Sequence, residues 1–317
     1  MRRIRIGTRG SRLALVQTHS VAGAIREKHP EVAIDVEIIQ TQGDRVLDRP
    51  LSAIGDSRVF IKEIETALLE ERVDLAVHSM KDLPSRITLG LALAATTERA
   101  DPRDVLVSRS APSLETLPRG GTVATGSLRR RSQLLALRPD LNVEDLRGNV
   151  PTRLEKFDRS AWDAILLAGA GLVRLGLESR IRSYIPTESM LPAAGQGALA
   201  LETRASDREL AETVQFLSHA PTEQAVVSER AFLARLEGGC RVPIAAYAEI
   251  RDSRLSLRGY VGAADGSRHL RREIEGDASR AEDLGLELAE SMLLEGAAAI
   301  IRPDGPTGPI GKTGAIG

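Results

Sequence analysis

One cysteine, five lysines and very few aromatic side chains distinguish this 317-residue chain. The single thiol, Cys240, cannot close an intramolecular disulfide or supply a cysteine-rich metal site. Aromatic residues make up 3% of the chain, too few for the stacking platforms that single-stranded nucleic acid requires. A formal net charge of -1 gives no overall field to draw in a polyanion, so any anion binding has to come from local clusters. No apolar run is long enough to cross a bilayer. The N-terminus, MRRIRIGTRGSRLALVQ, passes directly into an alternating strand pattern without the apolar core of a signal peptide. None of the five histidines lies in a ligand spacing, so no metal site is expected. Together these absences describe a cytoplasmic protein with neither nucleic acid nor membrane as partner.

Several familiar loops are also missing. Gly169-Ala170-Gly171 follows a strand as a dinucleotide loop would, but Arg174 stands where the third glycine belongs. Gly311-Lys312-Thr313 has the end of a phosphate loop, with Pro306 in place of its first glycine. There is no G-x-S-x-G elbow. Dehydrogenase, nucleotidase and serine-hydrolase chemistry all lose support.

What remains is a globular composition, 42% hydrophobic and 27% charged, at a length that suits two or three domains. Short apolar runs alternate with amphipathic ones. Strands are predicted at 2–7, 32–39 and 73–78, with helices at 11–28 and 59–71. A second set has strands near 104–108, 121–125, 141–146 and 163–168 and helices at 127–137 and 150–157. A strand at 198–203 is expected to rejoin the first set. A helix at 222–237, strands at 244–251 and 254–261 and a helix at 280–295 complete the pattern, which is α/β. Residues from Pro303 onward are rich in glycine and proline and read as a mobile tail.

Two strand-to-helix loops echo each other, Thr8-Arg9-Gly10-Ser11 and Thr125-Gly126-Ser127. In each, a serine at a helix N-cap beside backbone N–H groups makes an anion site. Ordinary capping explains the serines but not the arginines around them. Arg9, Arg129, Arg130, Arg131, Arg147 and Arg153 all fall at strand ends or helix starts, the edge of an α/β sheet where ligands gather. Two such sheets facing each other would hold a ligand with many carboxylates or phosphates. In Ala76-Val77-His78-Ser79-Met80-Lys81-Asp82-Leu83-Pro84 a buried strand ends in a basic and an acidic residue on a turn stiffened by Pro84. That makes Asp82 the candidate catalytic group, an exposed turn aspartate being the alternative. His78 reads as a core or cleft-wall residue. Around Cys240 two glycines leave the backbone open and Arg241 favours the thiolate, so inert packing and covalent chemistry both stay open on local grounds.

The chain resembles the porphobilinogen deaminase (hydroxymethylbilane synthase) family over nearly its whole length. The resemblance rests on IGTRGSRLALVQ at 6–17, AVHSMKDLP at 76–84, ERADPRDVLVS at 98–108, SLRRRSQL at 127–134, LRGNVPTRLEK at 146–156, LPAAGQGALA at 191–200 and LEGGCRVPIAAYA at 236–248. It implies three α/β domains, the first two like periplasmic binding proteins with a cleft between them, the third small and bearing the cysteine. The expected divisions are 1–97 with 198–216, 98–197, 217–302 and the tail 303–317. It further implies a monomer and a transferase of tetrapyrrole synthesis that joins four porphobilinogen molecules, with loss of ammonia, into hydroxymethylbilane. A dipyrromethane cofactor would be held by Cys240 through a thioether. Every pyrrole ring carries an acetate and a propionate, which gives the arginines a purpose.

By the same resemblance, Asp82 is catalytic. Lys81, Thr125, Ser127, Arg129 and Arg130 would bind the cofactor. Arg9, Ser11, Gln17, Phe60, Arg147, Arg153, Arg174 and Gln196 would bind substrate, although a core role stays open for Phe60. The chain departs from the family pattern at Ala53 and Gly55-Asp56-Ser57-Arg58, within a long polar segment, 43–58, read as a lid. It departs also at Gly126 and at Pro151, the latter tolerable in a first helical turn. The rival reading is a non-enzymatic two-domain binding protein for an anionic metabolite, which requires neither Asp82 nor Cys240.

Overall fold

A computed structural model describes residues 3–45, 60–236 and 242–301. Most of the expected lid, Cys240 and the tail lie outside these residues.

Along the chain, β1 (Arg3–Thr8), α1 (Arg12–Lys28), β2 (Ala33–Ile38), the short α2 (Gln42–Arg45), α3 (Lys62–Leu69), β3 (Leu75–Ser79) and β4 (Leu91–Thr96) come first. Next are β5 (Asp104–Ser108), β6 (Thr122–Ala124), α4 (Leu128–Leu137), β7 (Asn142–Glu144), α5 (Val150–Arg159), β8 (Ala164–Ala168), α6 (Gly169–Arg174) and β9 (Ser183–Tyr184). Then follow β10 (Leu199–Arg204), α7 (Arg208–Val214), α8 (Ala220–Arg235), β11 (Ile244–Arg251), β12 (Arg254–Gly262), β13 (His269–Asp277), α9 (Ala281–Leu294) and α10 (Ala297–Ile301).

The strands make three sheets, ordered β2-β1-β3-β10-β4, β7-β6-β8-β5-β9 and β11-β12-β13. The first two share one plan. Three parallel strands (β2, β1, β3 in one; β7, β6, β8 in the other) are joined by an antiparallel strand that enters from the other sheet, β10 or β5. The chain therefore crosses between the two sheets twice, once after β4 and once before β10.

Both sheets are covered by helices on both faces, so their central strands, β3 and β8, are buried at successive residues rather than alternately. On β5, Leu106 packs with Leu134 of α4, while Val105 and Val107 pack with Leu154 and Phe157 of α5. On the first sheet, Ile4, Ile6, Leu75 and Val77 meet Val21 and Ile25 of α1, and Ala76 turns the other way to Ile64 and Leu68 of α3. Each such Leu or Ile contributes about 1.5–3 kcal/mol by burial. The third sheet packs one face on α8 and α9, through Leu255, Leu257, Phe232, Leu284 and Leu288. Its other face, with Ala245, Tyr247 and Tyr260, meets Leu191 on the second crossover. Ser132 and Tyr260 hydroxyls at 2.8 Å, and Arg271 donating to Thr187 O at 2.7 Å, attach it to the second sheet's side of the molecule.

The second crossover makes tight contacts that only glycine permits. Gly197 has φ +98, and a Cβ there would lie 2.4 Å from the Ala100 carbonyl oxygen on the first crossover. Gly197→Ala is expected to cost about 1–3 kcal/mol from the backbone conformation alone. A thermal melt would register this as a lower midpoint, and an unchanged melt would contradict it.

Candidate active site

The carboxyl ends of β1 and β3 face the helix starts of the second sheet. At the end of β1, Ser11 caps α1 by accepting from Ala14 N at 3.3 Å, and the Arg9 guanidinium lies 4.2 Å over the Phe60 ring. The Gln17 amide donates to Ser79 Oγ at 3.0 Å, tying α1 to the end of β3. β3 then runs into a single 3-10 turn, Met80–Asp82. Met80 is buried against Ile61, Leu83 and Ala198, and its N–H donates to Ala198 O at 3.0 Å. The buried methionine anchors the turn, so the next two side chains, Lys81 and Asp82, come from a fixed backbone. Arg9, Ser11, Gln17, Phe60, Ser79 and Asp82 line a cavity of about 50 Å³.

The second sheet supplies most of the cations. Ser127 caps α4 by accepting from Arg130 N at 3.4 Å, and buried Thr125 accepts from Ser127 N at 3.3 Å. Gly126 between them has no room for a side chain, because a Cβ would sit 2.5 Å from Leu146 O. Arg129 and Arg130 leave the first turn of α4 and both reach the fully buried Asp104, at 2.7 and 2.8 Å. Arg129 also donates to Leu191 O at 2.5 Å, and Arg130 to Leu166 O at 3.1 Å. α5 starts at the Asn149 cap with Pro151 inside its first turn, and Arg153 Nε donates back to Gly148 O at 2.7 Å. Arg147 lies on the loop before that cap. Arg174, at the end of α6, donates to Gly197 O at 2.6 Å and so touches the second crossover.

Lys81 and Gln196 join the two halves. Lys81 Nζ donates to Gln196 Oε1 at 3.2 Å, while Gln196 Nε2 donates to Pro102 O at 2.7 Å and Asp104 Oδ1 at 2.8 Å. Both polar atoms of the Gln196 side chain are thus engaged within the chain. Burial pushes the Lys81 ammonium down to about 8; Arg130 and Arg129 push the same way, Asp82 and Asp104 the other. Burial also lowers the Arg153 guanidinium to about 10, with Arg130 and Arg147 adding to the fall and Asp82 opposing it. For Asp104, burial alone would raise the carboxyl, but the charges and hydrogen bonds of Arg129 and Arg130 outweigh it and hold it well below the usual range.

The charge balance of this cluster is cationic. Lys81, Arg129, Arg130, Arg147 and Arg153 lie within reach of one another, and among the described residues Asp82 and Asp104 oppose the charge at Lys81 and Asp82 opposes it at Arg153. Buried positive charge in excess is unfavourable unless an anion completes it, so the donor set fits a ligand rich in carboxylates.

Sequence reasoning missed three buried groups. Asp104 read as the first residue of a strand. Glu229 of α8 accepts both guanidinium nitrogens of Arg99, at 2.8 and 2.9 Å. Glu202 lies 3.2 Å from His78 Nε2, so the wall histidine has a buried carboxylate beside it. A carboxylate embedded in an otherwise apolar strand, as in LALETR, is the signal that could have found the last. Among the described residues no helix is long and apolar enough to cross a membrane, and no group of three or more His, Cys, Asp or Glu side chains could hold a metal ion.

Residues 4–212 match the family model described as "Porphobilinogen deaminase, dipyromethane cofactor binding domain", and 223–294 match "Porphobilinogen deaminase, C-terminal domain". The chain belongs to the porphobilinogen deaminase family. Membership makes it a transferase of tetrapyrrole biosynthesis with a dipyrromethane cofactor, and it leaves the binding-protein alternative without favour. The cationic donor set described above suits that cofactor's carboxylates.

Solved structures similar to this porphobilinogen deaminase family member include the Bordetella pertussis BvgS periplasmic VFT2 domain, in its F375E/Q461E form, at 15% identity. That match covers 67% of this chain and 84% of the other, with a TM-score of 0.41. The methionine binding protein MetQ is 13% identical over 74% of this chain and 94% of its own, with a TM-score of 0.43. The second substrate binding domain of a putative amino acid ABC transporter from Streptococcus pneumoniae is 12% identical, covering 68% and 91%, with a TM-score of 0.43.

Proposed function

We propose that this chain is a hydroxymethylbilane synthase, condensing four porphobilinogen molecules head to tail, with release of ammonia, in the cleft between its first two sheets. The observation that carries the reading is the Asp82 turn at the end of β3, set among Lys81, Arg130 and Arg153. On this reading the chain divides into 1–97 with 198–216, 98–197 and 217–302, and Cys240 holds the cofactor through a thioether. When bound, dipyrromethane supplies the nucleophilic pyrrole carbon from which the product grows.

The chain's own groups have two tasks. The first is to neutralise carboxylates. Thr125, Ser127 and Arg130 stand at the start of α4 on the second sheet, Lys81 faces them from the turn after β3, and together they suit the cofactor, with Arg129 supporting them through Asp104. Arg9, Ser11, Gln17 and Phe60 gather around the cavity that Asp82 lines and suit the incoming substrate. Arg147, Arg153 and Arg174 extend the cationic wall on the second sheet's side, and Gln196 acts through Lys81 and Asp104 rather than on substrate.

The second task is to stabilise charge that develops only during reaction. Porphobilinogen with its aminomethyl group protonated loses ammonia when its pyrrole nitrogen pushes electrons toward the methylene, leaving a cation delocalised onto that nitrogen. A carboxylate fixed beside the nitrogen favours that cationic ring over the uncharged ring of the ground state, which is the requirement for catalysis rather than mere binding. On this reading Asp82 is the group that does this. The same oxygen can accept the ring proton released after carbon–carbon bond formation.

Intact mass tests the reading. Freshly purified protein should exceed its sequence mass by two linked pyrrole units, with the excess on the Cys240 peptide, and Cys240→Ser should lack it. Protein that carries no adduct, and gains neither adduct nor activity on incubation with porphobilinogen or preformed hydroxymethylbilane, would overturn it.

A further inference from the structure

The buried Asp104 has no place in the chemistry above, yet it is the centre of the hydrogen-bonded network. Its Oδ2 accepts from Arg129, and its Oδ1 accepts from Arg130 and from the Gln196 amide. With both oxygens occupied and no exposed surface, it is a fixed negative charge rather than a group that exchanges protons. Gln196 has one possible orientation. Pro102 O and Asp104 Oδ1 are both acceptors, so the amide nitrogen must face them, and Oε1 must face the Lys81 ammonium. The glutamine lies between Gly195 and Gly197, both at positive φ, on the crossover that returns to the first sheet. Pro102 is on the other crossover. One side chain therefore touches both connections between the sheets, the turn that bears Asp82, and the counter-ion of the α4 arginines.

We infer that Asp104 and Gln196 form a positioning pair, which holds the Lys81 ammonium in register with Arg129 and Arg130 across the two sheets so that the cationic wall meets its ligand already assembled. The inference rests on the proposed reaction and adds to it two residues that act through others. Among the described residues, the charged groups that act on Lys81 are Asp82 from its own turn, Asp104 from β5, and Arg129 and Arg130 from α4. Of these, only the two carboxylates favour the ammonium. Removing the Asp104 charge leaves Lys81 facing two guanidinium groups with Asp82 alone to oppose them, so its proton is lost at lower pH.

The experiment is the pH profile of kcat/KM for porphobilinogen consumption, measured on cofactor-loaded protein with loading checked by intact mass. In Asp104→Asn the alkaline limb should move to lower pH by at least about one unit, a tenfold loss at fixed alkaline pH. Should Asp104→Asn fail to fold, Gln196→Met decides. It keeps side-chain volume, leaves Asp104 with both arginines, and should shift the limb in the same direction. A merely structural role would lower stability and loading without moving the profile. A wild-type profile in loaded Asp104→Asn, or in Gln196→Met, overturns the positioning pair alone. Wild-type protein that consumes no porphobilinogen overturns the reaction, and the pair with it.

Discussion

Asp82→Asn should give a folded, cofactor-loaded protein whose kcat for porphobilinogen consumption is about 10²–10³-fold below that of the unaltered chain. The substitution keeps the shape of the side chain and removes only its charge. The turn stays in place, because it is held by buried Met80 and by the Met80 N–H on Ala198 O. KM should change little, since the carboxylate acts on a cation that exists in the transition state and not in bound porphobilinogen. A second effect follows from the neighbours. Asp82 opposes the fall of the Lys81 pKa, so the residual activity should also decline at lower pH than in the unaltered chain. Steady-state kinetics across pH, with loading verified by mass, checks both. Turnover at the unaltered rate would remove Asp82 from the reaction.

The strands and helices that sequence reasoning placed well are those whose side chains make the pattern on their own. β5 and β11 have the predicted limits, and α1 and α4 begin one residue after theirs, each behind a serine cap. The elements it missed are the ones that depend on neighbours. β4 reads LALAAT, an alanine-rich run with no strand preference of its own, and extends because it pairs with β10. β13, HLRREIEGD, is a charged edge strand held by the register of β12. α6, GAGLVR, is glycine-rich, and its first residue, Gly169, lies close against Tyr184 and Val105. Helix α3 is shorter at both ends than the predicted 59–71.

The candidate site divides along the same line. Its cations were visible because arginines at strand ends and helix starts are individually unusual. Its anions were not, because Asp104, Glu202 and Glu229 matter through partners 19 to 130 residues away. A sequence displays the groups a ligand meets more readily than the groups that hold those in place.

Glu229 carries the largest expected effect on stability. Its carboxylate is fully buried and accepts four hydrogen bonds. Two come from the Arg99 guanidinium on the first crossover, one from Gly195 N on the second at 2.6 Å, and one from Ala248 N on β11 at 2.8 Å. One side chain on α8 therefore fixes both crossovers and the third sheet together, and α8 is the helix that leads toward Cys240. Glu229→Gln leaves the Arg99 guanidinium buried without its counter-ion and turns an amide NH₂ toward a backbone N–H. Removing one partner of such a pair costs about 3–5 kcal/mol, because the charge left behind stays out of water. The thermal midpoint should fall by about 5–10 °C. Arg99→Met should do comparable harm, whereas the double variant Arg99→Met/Glu229→Gln should recover much of the loss, since no charge is then stranded. Calorimetry on the four proteins completes the cycle. Two single variants that melt with the parent would show that the crossovers are held by their apolar packing alone, and that the ion pair adds nothing to the joint between the sheets.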